Sequence, residues 1–224
     1  MVVFTRKRDP PVVNIHVCHN VIPPAESTCF LGVTISSDLK WNTHIINTCS
    51  KARQQLGFLY RLFGMADPVS LSHLYKCLIL PTLDYCSVVW DPATIFLINK
   101  LESVQRLAAR LTTKRWSAPP NDLLNSLNWT TLQTRRKKQK VMVCARIIQG
   151  CSIIPHTHFS PHPHPNQRHH HSRPLFTPFA RTSAYQASFS ISCTHLWNSL
   201  PDYVLCASSA SSFKRQLSSA LLIS

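Results

Sequence analysis

Between Trp41 and Gly64 the chain runs WNTHIINTCSKARQQLGFLYRLFG. Trp41, Ile45, Cys49, Ala52, Leu56, Leu59 and Phe63 recur at intervals of three and four residues. That spacing places them on one stripe of a helix of about six turns. Ser36, Ser37 and Asp38 offer N-caps, and Gly64 stands where a helix-ending glycine belongs. A helix with one apolar stripe must bury it, so the segments around it should supply partners.

Downstream, Asp67-Pro68 reads as a cap followed by a first-turn proline. Leu71, Leu74, Tyr75, Leu78 and Ile79 form the expected buried face of that helix, and Pro81 should end or kink it. Asp91-Pro92 repeats the start signal. Ile95, Ile98, Leu101, Val104, Ala108 and Leu111 then follow at helical spacing. A further helix is expected over Thr131–Gln149, stopped by Gly150. Residues 36–150 therefore read as a helical bundle.

Upstream, Met1–Phe4, Val12–Val17 and Thr28–Ile35 have the β-branched and aromatic character of short strands. Residues 153–180 contain six prolines, and seven of the twelve histidines lie in residues 156–171. This stretch reads as an extended linker, with His-rich metal binding as a minor alternative. Near the end, Phe213, Leu217 and Leu221 fall on one face of a serine-rich helix. The expected fold is mainly α, with short N-terminal strands, a helical bundle, a Pro/His-rich linker and a short C-terminal segment.

Composition excludes several functions. The chain has 224 residues and only four glycines, Gly32, Gly57, Gly64 and Gly150, too far apart for a Walker A loop or a dinucleotide fingerprint. Its nine acids include no Asp-Asp or Asp-x-Asp pair, whereas two-metal phosphoryl transfer wants clustered carboxylates. Asp84 and Asp91 make a poor metal pair, and Asp91 before Pro92 reads more simply as a cap. Zinc-type Cys-x-x-Cys spacing is absent. Nine cysteines is an odd number, and three basic residues precede any long apolar run. Reduced thiols in an intracellular protein, nuclear or cytoplasmic, are the expectation, with most cysteines serving as small core side chains. The best apolar stretch, residues 74–90, is broken by Lys76, Pro81 and Asp84, so no membrane partner is expected.

The net charge of +15 points instead to a polyanion. Residues 101–150 carry ten basic and two acidic side chains, more than half of the excess. Arg135, Arg136, Lys137, Lys138 and Lys140 form the densest run. Arg106, Arg110, Lys114 and Arg115 extend it on the preceding helix. Phosphate neutralisation is the functional reading; a solvated face or a nuclear-import signal is the alternative.

Phe30-Leu31-Gly32-Val33, followed by Ser37-Asp38-Leu39-Lys40-Trp41 and His44-Ile45, resembles the reverse transcriptases of LINE-type (non-LTR) retrotransposons, in the jockey-like branch. Leu83-Asp84-Tyr85-Cys86-Ser87 with Val89-Trp90-Asp91-Pro92 is similar to that family's thumb. So is Leu101-Glu102-Ser103-Val104-Gln105-Arg106 with Ala108-Ala109-Arg110. Arg181-Thr182-Ser183-Ala184-Tyr185, Ser188-Phe189, Trp197-Asn198-Ser199-Leu200-Pro201 and Phe213-Lys214 resemble its tail. The segments stand in family order over residues 30–214.

The resemblance implies palm-end strands over 1–36, a helical thumb over 37–115, a basic helical extension over 116–152, the linker over 153–180 and a tail over 181–224. It also implies that Phe30, Leu31 and Gly32 descend from the strand that steadies a primer's 3′ end. The family holds its Mg²⁺ ions with a palm aspartate and an aromatic-Ala-Asp-Asp turn, both upstream of the segment that Met1–Phe4 matches. A fragment without catalytic aspartates is therefore expected. It would need no cofactor of its own and would bind RNA, DNA or an RNA–DNA hybrid rather than a small molecule. A non-catalytic nucleic-acid-binding helical module and a decayed reading frame without selected function remain as alternatives.

Overall fold

The computed structural model describes residues 2–5, 15–17, 20–62, 64–91, 94–155, 159–163 and 173–223. Expectations on Met1, Val12, Val13, Phe63 and most of the His-rich stretch lie outside the described residues. The fold is mainly helical and divides into two compact units, residues 1–86 with 94–118 and residues 87–93 with 119–224.

The first unit opens with two antiparallel hairpins, β1 (Ile15–Val17) with β2 (Asn20–Ile22), and β3 (Ser27–Phe30) with β4 (Val33–Ser36). Val2–Thr5 form no strand, although Thr5 N donates to Ser37 O at 3.0 Å. The single strand expected over Thr28–Ile35 is instead a hairpin, with Phe30 opposite Val33. Leu31 and Gly32 both have positive φ, 47° and 78°. That is the two-residue turn whose twist matches paired strands, and Gly32 makes it accessible.

Helix α1 (Asn42–Leu62) buries the expected stripe of Ile45, Cys49, Ala52, Leu56 and Leu59. Asp38 does not cap it. Its carboxylate accepts from Lys40 N at 3.0 Å and Ser36 Oγ at 2.8 Å, a local turn ahead of the helix. Helix α2 (Pro68–Leu74) starts as expected, with Asp67 accepting from Val69 N and Ser70 N at 3.0 and 3.1 Å.

Pro81 then acts by widening the helix rather than stopping it. Tyr75–Ile79 form a π turn in which Leu80 N donates to Tyr75 O, and Pro81 sits in the first turn of α3 (Leu80–Asp84). The proline lacks an N–H and crowds the carbonyl four residues back; the wider turn accommodates both defects. Leu71, Tyr75 and Ile79 are buried as expected, but Leu78 faces out. Within this unit α5 (Ile95–Thr113) packs against α1 and α2, burying Leu97, Leu101, Val104, Ala108 and Leu111.

The second unit contains α4 (Ser87–Trp90), α6 (Pro120–Ser126) and α7 (Leu132–Ile148). It ends with α8 (Ser183–Gln186), α9 (Phe189–Asn198), α10 (Asp202–Leu205) and α11 (Ala210–Ile223). Thr131 caps α7, accepting from Thr134 N at 3.1 Å, and Gly150 ends it with φ 69°. Helix α7 packs on α4, α9 and α11. Val141, Cys144 and Ile147 share a core with Cys193, Trp197, Val204 and Leu217.

The Pro/His-rich segment is more than an extended linker. It has no helix among its described residues, yet Phe159 and Leu175 are buried in this core. His162 N donates to Pro174 O at 2.9 Å and Phe176 N to Ser160 O at 2.8 Å, a two-rung ladder. Asn198 fastens it through both hydrogen bonds to the backbone of Leu175, and Trp197 Nε1 donates to Arg173 O at 3.0 Å. The apolar side chains among the prolines explain why the strap packs.

Among the described residues Cys49, Cys144 and Cys193 are buried and Cys29, Cys77, Cys86, Cys151 and Cys206 are exposed, so there the core role expected for most cysteines holds for three of eight.

Candidate nucleic-acid interface

The basic run on α7 does not present one face. Residues 136 and 140 are one turn apart and point the same way. Arg136 is 1% exposed, and its Nε donates to Asp91 Oδ1 at 2.8 Å. Lys140 is also buried; its Nζ reaches Asp91 Oδ2 at 2.7 Å and Ser192 Oγ at 3.0 Å. Asp91 thus holds two cations with its two oxygens. It caps no helix: α5 begins after Thr94, whose side chain makes no cap bond. Two facing cations give the carboxylate a stronger interaction than exposed helix N–H groups would. Nothing in the spacing of Asp91 and Arg136, 45 residues apart, announces the pair.

The other basic residues of the run, Arg135, Lys137 and Lys138, are partly exposed. Lys138 Nζ donates to Ser218 Oγ on α11. Burial pushes the Lys138 ammonium below its usual range, and the neighbouring positive charges of Lys214 and Arg135 push it further. Arg135, Lys138 and Lys214 therefore form a cluster of like charge across α7 and α11. Lys214 was not among the expected binding residues. The apolar stripe Phe213, Leu217 and Leu221 was the available signal, because a helix docked by that stripe places Lys214 at its edge.

In the first unit, Arg106 and Arg110 are half-buried on α5. Arg110 lies in the last turn, where a cation complements the helix dipole, and its buried Nε has no hydrogen-bond partner among the described residues. Lys114 takes a left-handed conformation just past the helix, φ 58°, and Lys114 and Arg115 are exposed. At the β3–β4 tip, Phe30 is 64% and Leu31 74% exposed.

Tyr85 Oη donates to Leu31 O at 2.9 Å, and a Cβ on Gly32 would lie 3.4 Å from the Tyr85 ring. Beside this tip a groove of about 450 Å³ is lined by Gly32, Thr34, His44, Lys51 and Tyr85 among others. His44 Nδ1 accepts from Thr34 N at 3.2 Å, and burial lowers the imidazole below its usual range. Among the described residues no group of three His, Cys, Asp or Glu side chains could hold a metal ion.

Over 116 residues, half of this chain, the sequence is 28% identical to the probable RNA-directed DNA polymerase from transposon X-element of Drosophila melanogaster. The chain is a distant, partial relative of a LINE-type reverse transcriptase. It spans 13% of the length of that polymerase. No family model matches the chain, and no solved structure matches it. No helix among the described residues is long and apolar enough to cross a membrane.

Proposed function

We propose that this chain is the end of the palm, the thumb and the tail of a LINE-type reverse transcriptase, and that it holds template–primer without catalysing synthesis itself. The observation that carries the reading is the cluster of Arg135, Lys138 and Lys214, in which Lys138 Nζ donates to Ser218 Oγ and Ser218 lies one turn beyond Lys214, its Oγ 2.7 Å from Lys214 O. Like charges held together disfavour one another, and a phosphate placed among them relieves that cost. Similarity to an RNA-directed DNA polymerase supports a nucleic acid as the source of the phosphate. Arg106, Arg110, Lys114 and Arg115 offer a second set of phosphate contacts on the first unit. Phe30, Leu31 and Gly32 would meet the primer end.

Such binding is mostly backbone charge, so it tolerates any sequence and weakens steeply with salt, by about 0.9 log units per tenfold salt for each phosphate neutralised. The test is a fluorescence titration of an RNA–DNA hybrid at several salt concentrations, with Lys138→Glu/Lys214→Glu beside the native chain and circular dichroism as the check of folding. The double reversal should weaken every sequence alike and flatten the salt dependence. Binding indifferent to salt, or untouched by the reversal, would remove the proposal.

A further inference from the structure

The second unit contains a cavity of about 490 Å³, enclosed between the C-terminal half of α7, the strap and the start of α11. Its walls include Met142, Trp197 and Phe213; its rim includes Arg146, His162 and Arg173. The two aromatic rings lie 6.4 Å apart at 35°. Trp197 is fixed by its Nε1 bond to Arg173 O, and Arg146 and Arg173 are exposed. Among the described residues no aspartate or glutamate lines the cavity. A largely apolar pocket of this size, with a few polar groups at one edge, has the dimensions of a small-molecule site.

We propose that this pocket receives one unpaired base of a single-stranded RNA or DNA segment, with its flanking phosphates on Arg146 and Arg173. Three observations favour that occupant over a purely aliphatic or an acidic peptide one. Aromatic and thioether walls suit a flat heteroaromatic ring. Two exposed arginines at the rim suit an anion attached to that ring. Helix α7 also carries the Arg135–Lys138 cluster, and eight residues of helix separate Lys138 from Arg146, about 12 Å. One strand can follow the helix from cluster to pocket. The volume admits a nucleotide, and a base stacked within a duplex has no free ring face to offer the aromatic walls, so the pocket discriminates unpaired from duplex nucleic acid. Proteins that read single strands commonly splay a base onto aromatic side chains in this way.

This inference rests on the nucleic-acid reading above, and its test separates the two. The full chain is titrated with a single-stranded RNA 12-mer carrying 2-aminopurine at its centre. A second 12-mer has an abasic site there and the same phosphates. The intact strand should bind about tenfold more tightly than the abasic one, with its aminopurine emission changed on binding. Ala207→Trp, which fills the pocket from its lining, should erase that preference while circular dichroism stays native.

Equal affinity for the two strands overturns the pocket and leaves the basic surface standing. A preference that survives Ala207→Trp also overturns it, since the base would then be held elsewhere. Failure to bind either strand or a hybrid at low salt overturns both readings. A pocket filled instead by an aliphatic chain would show as a fatty-acid probe displaced by Ala207→Trp with no base preference, which also overturns it.

Discussion

Asn198 holds the backbone of Leu175 from both sides: its Oδ1 accepts from Leu175 N at 2.9 Å, and its Nδ2 donates to Leu175 O at 2.8 Å. A side-chain amide here does what a neighbouring strand would do. It satisfies a buried segment's donor and acceptor together.

Asn198→Ala should therefore release the strap. Two backbone groups lose their partners, each at about 1–3 kcal/mol if left unsatisfied. Amide hydrogen exchange should show Leu175 and Phe176 opening tenfold faster or more, about 1.4 kcal/mol of lost protection, while α1 in the other unit keeps its rates. Unchanged exchange at Leu175 would contradict this role for Asn198.

Asp91→Ala strands two buried cations. Removing one partner of a buried pair costs about 3–5 kcal/mol, because the remaining charge has neither water nor counterion. Urea denaturation followed by circular dichroism should show a large loss of midpoint in the second unit's transition. Lys137→Ala, which touches no such partner, should stay within about 0.5 kcal/mol of the native chain.

His44 gives the first unit a pH dependence of known sign. Burial lowers its folded-state value below the ordinary 6.5, so the unfolded chain takes up the proton first. The stabilisation is complete above about pH 6.5 and declines as pH falls from there towards the lower folded value. His44→Gln removes the titration and should narrow the difference in urea midpoint between about pH 7.5 and 5.5. An unchanged difference would mean that other groups govern that window.

The 224-residue chain should extend no primer on an RNA template with Mg²⁺ and deoxynucleotides. Phosphoryl transfer through two metals needs clustered carboxylates, and these residues contain no Asp-Asp or Asp-x-Asp pair. Chelator-sensitive extension by the purified chain would refute the non-catalytic reading.

The helices that were legible in the sequence are those with long apolar periods. Ile45 to Leu59 and Leu101 to Leu111 could be read because one-sided burial imposes its own spacing. Helix α9 gave a weaker sign: Phe189, Cys193 and Trp197 stand four apart, but the stripe is three residues long within FSISCTHLWN, otherwise rich in serine and threonine, and its helical form depends on packing Cys193 and Trp197 against α7. The β3–β4 hairpin was hidden for the opposite reason. Its turn is Leu31-Gly32, and a leucine at positive φ is not a turn signal.

For the candidate interface, net charge located the region but not the direction of each side chain. Arg136 and Lys140 look no different in sequence from Lys137 and Lys138. Only the distant Asp91 separates them.

That separation gives the spelling of α7 a meaning that its composition lacks. Any anagram of Arg135-Arg136-Lys137-Lys138-Gln139-Lys140 keeps the isoelectric point and the electrophoretic mobility unchanged. A third of the anagrams would nevertheless set glutamine at 136 or 140, before Asp91, and leave the carboxylate one cation short. A one-residue insertion ahead of the run would do the same, rotating every following side chain by about 100°. The segment therefore tolerates drift between lysine and arginine at its outer positions and resists slippage of its reading register. A copy decaying under mutation would lose the second unit by insertion or deletion in α7 well before its overall charge betrayed any change.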